Sequence, residues 1–285
     1  MPRILDYTGR EADRTVTVAD IVALKARGRR LAQVTASTPA EAAAAEAAGV
    51  EMVVCMSDFV PAVREGSQRV FVTAAIDFSG AVTTDDLLGT AYSALTAGAD
   101  AVITARGLDG VRRLAHEDIP VMGHLGFVPK KSTLLGGVRA VGRTAPEALA
   151  LWEKFRALED AGAFAVECEL IPAQVMREIQ ARTGLATISL GSGPDADVLF
   201  LFTSDICGES ERLPRHARRY ADLAALQRQM DAERVRALTE FRADVAAGGF
   251  PSDAEVAQVD ADELAAFVDA VTASSTGRPA QRPDV

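Results

Sequence analysis

The polar residues able to carry chemistry stand where apolar runs of this 285-residue chain stop. His124 interrupts the run Val121-Met122-Gly123-His124-Leu125-Gly126, and the glycines on either side let a ligand approach the backbone closely. Glu169 closes a second run after Val166-Glu167-Cys168. On a strand Glu167 and Glu169 share a face, so either both enter one site or the strand ends before them. A carboxylate among apolar neighbours has its pKa raised by desolvation, which is how a base working near neutral pH is made. A carboxylate paired with Arg or Lys would instead be structural, and the residues alone leave both readings open. Ser57 and Asp58, Asp77, Arg106, Ser192 with Gly193, and Asp205 also follow apolar runs, each a contact to a small molecule or a helix cap. Lys130 and Lys131 come just after the His124 run and either meet an anionic cosubstrate or stand in a solvated loop.

Positioning these groups falls to short Val/Ile/Ala-rich runs that alternate with longer Ala-rich helical stretches. Strands are predicted over 31–36, 51–56, 70–76, 101–105, 121–125, 163–169, 185–190 and 198–203. A helix is expected to begin at Pro39 behind an N-cap at Thr38 and to end at Gly49, and a long amphipathic helix carrying Trp152 is expected over 145–161. Continuous apolar strands separated by helices are what a parallel, helix-covered sheet produces. The fold class is therefore α/β, a (β/α)8 TIM barrel with an N-terminal helical lead and a C-terminal helical extension. A doubly wound open sheet is the alternative, but no GxGxxG follows the first strand. In a (β/α)8 barrel the active site lies at the C-terminal ends of the strands, where the candidates above fall. The expected division is a lead over 1–28, the barrel with its helices over 29–255, and an acidic extension over 256–285 that becomes disordered from Ala273 onward.

Thirty basic against 40 acidic residues give a net charge of −10, which disfavours nucleic acid and anionic membranes as partners. Three cysteines without CxxC spacing argue against a disulfide framework or a structural zinc site. No apolar run approaches the roughly 20 residues a membrane span needs, and the first 15 residues are too polar for a signal peptide, so a cytoplasmic protein is expected.

Several segments resemble the ketopantoate hydroxymethyltransferase family, in the family's order over residues 15–255. They are TVADI at 17–21, PVMGHLGFVP at 120–129, GGVRAVGR at 136–143, LEDAGA at 158–163, Glu169 with Pro172-Ala173, SLGSG at 189–193, and Asp205 with Gly208. The resemblance implies a (β/α)8 barrel and a homo-oligomer. It implies transfer of a hydroxymethyl group from methylenetetrahydrofolate to the enolate of 3-methyl-2-oxobutanoate, a small α-keto acid held by a divalent metal such as Mg²⁺. It places Glu169 as the general base, His124 in the active site and Ser57 against substrate, with Ser192 in a matched segment.

The family's metal positions are not retained. By the same resemblance its two aspartate ligands fall on Met56 and Ala75, a nearby glutamate on Ala105 and a lysine on Ile103. An enolate still needs a cation or strong donors at its oxygen. Either Arg106 supplies fixed guanidinium donors, or Asp58 and Asp77, each two residues further on, rebuild a shifted Mg²⁺ site. Three functions follow: an enolate-forming hydroxymethyltransferase-like enzyme, a lyase or hydrolase of the wider phosphoenolpyruvate-mutase-like group, or a non-catalytic paralogue.

Overall fold

A computed structural model describes residues 3–77 and 79–275. Eight parallel strands close into a barrel in chain order: β1 (Leu31–Thr35), β2 (Met52–Met56), β3 (Phe71–Ala75), β4 (Ala101–Ile103), β5 (Val121–Gly126), β6 (Ala165–Glu169), β7 (Ala186–Leu190) and β8 (Val198–Leu201), with β8 pairing β1. Each observed strand lies within two residues of its expected ends. An unexpected antiparallel ribbon, Ile4–Leu5 against Glu11–Ala12, precedes the barrel.

The helices start where their side chains can satisfy the first free amides. Thr38 caps the helix Pro39–Ala47 in a reciprocal capping box with Glu41, as expected, and Thr83 with Asp86 does the same for Thr84–Thr96. The expected helix over 18–26 breaks into Val18–Val22 and Leu24–Arg27. Trp152, on the helix Ala145–Asp160, is half-buried against the shell between helices and strands. On the strand edge remote from the site, Asp100 receives Arg14 Nε and Arg64 Nη2, both at 2.6 Å, and the amide of Val72 at 2.8 Å.

The strand registers sort the inward side chains into layers of four from alternate strands, the usual filling of a (β/α)8 barrel. The central layer is Gln33, Thr73, Met122 and Ile188. Above it, toward the strand ends, come Val54, Ile103, Glu167 and Phe200, then Thr35, Ala75, His124 and Leu190, and finally Met56, Ala105, Glu169 and Phe202. Gln33 is 1% exposed, and neither its amide oxygen nor its nitrogen meets a hydrogen-bond partner.

By contact density the chain forms one unit through Leu223 and a second from Ala224. The second holds the helices Leu223–Ala247 and Ala261–Ser275, whose apolar residues, among them Leu238, Phe241 and Phe267, are exposed. The latter helix enters the stretch expected to be disordered, and 276–285 lie outside the described residues. No helix among the described residues is long and apolar enough to cross a membrane.

Candidate active site

The three layers above the centre line a cavity of about 430 Å³ at the C-terminal ends of the strands. Its ionisable groups with oxygen or nitrogen atoms are confined to two adjacent strands, His124 on β5 and Glu167 and Glu169 on β6. The rest of the wall is Val54, Met56, Ala75, Ile76, Ile103, Ala105, Pro129, Leu190, Phe200 and Phe202, with the hydroxyls of Thr35 and Ser37, and Cys55 turns its side chain into the shell between helices and strands. The cavity is thus charged on one side and apolar on the other.

His124 Nε2 lies 3.1 Å from Glu169 Oε2 and 3.7 Å from Glu167 Oε1, and the three side chains are 9, 13 and 9% exposed in the order His124, Glu169, Glu167. Burial opposes a charge on His124, but its hydrogen bond to Glu169, the charges of Glu167 and Glu169, and the backbone of Phe127 outweigh this and raise its pKa. Burial also raises Glu167, with Glu169 adding and His124 opposing.

Local backbone structure aims Glu169 at the cavity. Gly126, at φ +88°, lets the Phe127 amide donate to the Glu169 carbonyl at 2.8 Å. Leu170 then turns the chain at φ +49°, a region costly for a residue with a Cβ, and is held there by its amide on the Leu190 carbonyl. Ser192 is fully buried, and its hydroxyl accepts from the Ile171 amide at 2.9 Å and donates to the Cys168 carbonyl at 2.7 Å. It ties the ends of β6 and β7 together and does not line the cavity.

Other expected site residues stand apart. β2 ends at Met56, and a 3-10 turn over Ser57–Phe59 redirects the chain, so Ser57 and Asp58 line a separate acidic depression with Asp85 and Asp86. Asp77 follows the end of β3 and accepts the Ser79 hydroxyl at 2.5 Å. Extrapolating strand alternation two residues onward fails here because neither strand continues. Asp205 is buried in the helix Thr203–Cys207. Arg106 and Lys130 are next in sequence to cavity-lining Ala105 and Pro129, near enough that the Arg106 charge helps burial to lower the Lys130 pKa. Arg106 Nη2 is buried without an acceptor.

Among the described residues, one group of three or more His, Cys, Asp or Glu has ligand atoms within 4.8 Å of one another: His124, Glu167 and Glu169. Mg²⁺ asks for an octahedron of oxygens. The wall at Met56 and Ala75 offers none, Asp58 lies outside the cavity, and the clustered donors set an imidazole nitrogen between two carboxylates that it already contacts. These residues do not fit that ion.

Fold and cavity define a (β/α)8 barrel with a cluster of one histidine and two carboxylates at its mouth. A sequence model described as ketopantoate hydroxymethyltransferase matches residues 54–253. The 3-methyl-2-oxobutanoate hydroxymethyltransferase of Hyperthermus butylicus is 35% identical over 263 residues, covering 84% of this chain and 89% of its own length. That of Chloroflexus aurantiacus is 32% identical over 277 residues, covering 88% and 96%. This chain belongs to the ketopantoate hydroxymethyltransferase family and is an enzyme of the one-carbon transferase type. Among solved structures, 2,3-dimethylmalate lyase of the PEP mutase/isocitrate lyase superfamily aligns with a TM-score of 0.49 at 15% identity, over 93% of this chain and 100% of its own, a likeness too distant to bear on function.

The cofactor expectation is corrected. The names of the family and its relatives specify a hydroxymethyl group and 3-methyl-2-oxobutanoate, not a folate, and the aspartates expected to hold Mg²⁺ do not meet at the cavity. Neither methylenetetrahydrofolate nor Mg²⁺ is carried into the reading of the site.

Proposed function

We propose that the enzyme removes the α-proton of a small branched α-keto acid, 3-methyl-2-oxobutanoate or a relative, and that Glu169 is the base, the resulting enolate being the nucleophile for C–C bond formation. The single observation that carries this reading is the one-sided cavity. Glu169 and His124 share its charged wall at 3.1 Å, and the facing wall is apolar and suited to a branched alkyl group. The keto acid would lie with its hydrocarbon end against Met56, Ala75 and Ile103 and its α-hydrogen toward Glu169. The C–H pair becomes the enolate double bond, the proton passes to the Glu169 carboxylate, and the carbonyl π pair moves onto oxygen. Arg106, with its buried unpaired N–H, and Lys130 are the proposed contacts of the substrate carboxylate, which a guanidinium holds well. Ser57 stands outside the cavity, so no substrate contact is assigned to it.

The test is exchange of the C3 proton of 3-methyl-2-oxobutanoate in D₂O, followed by NMR. Wild-type protein should exchange it, and Glu169→Gln should lower the rate about 10²- to 10⁴-fold, the usual contribution of a positioned base. Exchange at the wild-type rate in Glu169→Gln would refute the assignment of the base.

A further inference from the structure

The base assigned above leaves the enolate oxygen without an evident partner. Of the described side chains lining the cavity, His124 alone can become a cation, because the others are carboxylates, hydroxyls, hydrocarbon and the Met56 thioether. A buried imidazolium needs a negative partner. Glu169 provides one only until it accepts the substrate proton. At that moment the charge passes to the enolate oxygen, and a second carboxylate in the layer below stays beside the same nitrogen before and after the transfer: Glu167, 7% exposed, with Oε1 at 3.7 Å.

We propose that Glu167 is a positioning residue, the standing counter-charge of a His124 imidazolium that donates to the developing enolate oxygen in place of a metal. The inference rests on the α-proton chemistry assigned to Glu169. Two carboxylates on one strand then have different tasks because their layers differ. Glu169, in the uppermost layer, meets the substrate and changes charge during the reaction. Glu167, two residues deeper, stands 3.7 Å from His124 Nε2 and keeps its charge. Proton and electron balance holds: the α-proton goes to Glu169, whose protonation releases the His124 Nε2–H it had accepted, that N–H turns to the enolate oxygen, and the imidazolium–Glu167 pair is conserved across the step. The groups facing His124 from the neighbouring strands are consistent with this. β6 presents Glu167 and Glu169, and the inward positions of β4, Ile103 and Ala105, present no charge. The raised pKa of His124, to which both carboxylates contribute against burial, has the sign such a pair requires.

The experiment reads the imidazole directly as well as the rate. In ¹⁵N-histidine protein the three imidazoles, His116, His124 and His216, are titrated by NMR in wild type, Glu167→Gln and Glu167→Asp, and α-proton exchange of 3-methyl-2-oxobutanoate is followed across the same pH range. The expected result is a His124 pKa that falls by about one unit or more in Glu167→Gln, equivalent to about a tenfold loss of the cation above the midpoint. The alkaline limb of the exchange profile should move with it, and Glu167→Asp should fall between the two. Unchanged His124 titration in Glu167→Gln would overturn the proposal even if the enzyme exchanged no proton of this substrate. Exchange abolished by EDTA and restored by a divalent ion would overturn it as well. Absence of wild-type exchange with the His124 shift present would instead count against the substrate reading alone.

Discussion

Replacing Gly126 by alanine should disable the site without touching an ionisable group. The Gly126 backbone lies at φ +88°, where an L-residue pays about 1–2 kcal/mol. A Cβ built there falls far inside contact distance of the Glu169 carbonyl oxygen and 2.9 Å from Ile171 Cγ1. Glu169 carries that carbonyl, so the clash can be relieved only by moving the residue that would act as base. The Phe127 amide, in a residue 4% exposed, would lose its 2.8 Å acceptor, a further cost of about 1–3 kcal/mol for a buried donor left unpaired. Together these predict a loss of about 2–5 kcal/mol in urea denaturation and a fall in α-proton exchange larger than the change in folded fraction explains. A Gly126→Ala protein with wild-type midpoint and wild-type exchange would show that the β5–β6 crossing does not aim Glu169.

Ser192→Ala should cost about 1–3 kcal/mol, because the buried Ile171 amide loses its acceptor and the Cys168 carbonyl its donor, and it should lower the exchange rate rather than substrate affinity. Asp100→Asn should destabilise by about 3–5 kcal/mol in the same denaturation assay, since it leaves Arg14 and Arg64, 7 and 8% exposed, facing a neutral amide. Stability should also fall with rising pH. His124 has its pKa raised above the usual 6.5, so its contribution is complete below that value and is lost as pH climbs through the raised one. Glu167, raised by burial above 4.5, acts in the same direction as pH climbs from that value through its raised one, and thermal melts of Glu167→Gln should show a shallower decline. A thiol-disulfide reagent at pH 8 should titrate Cys207 first, because desolvation raises all three thiols but Cys207 is only half-buried, whereas Cys55 and Cys168 are buried.

The barrel was legible because strands buried on both faces read as unbroken apolar runs, and helices intervened at the right spacing. Glu167 and Glu169 were recognisable as sharing a face for the same reason. What strand alternation could not give was the chain's path beyond a strand end. Met56 ends the expected strand as it ends the observed one, and the 3-10 turn after it carries Ser57 and Asp58 to another surface. Ser192 follows an apolar run like any mouth residue, and only the positions of Ile171 and Cys168 show that its hydroxyl is already occupied. The ribbon at Ile4–Leu5 is too short to leave a period. Gln33 is a polar residue inside the apolar run Leu31-Ala32-Gln33-Val34, and its buried place in the barrel's central layer follows from the strand register.

Confining the proposed base Glu169 and its partner His124 to β6 and β5 predicts the stereochemistry of the proposed reaction. A substrate held by the apolar wall shows one face of its α-carbon to Glu169, and the opposite face meets hydrocarbon. With 2-oxobutanoate, whose two C3 hydrogens are enantiotopic, deuterium should therefore enter one position and leave the other unlabelled. New carbon should likewise add to a single face of the enolate.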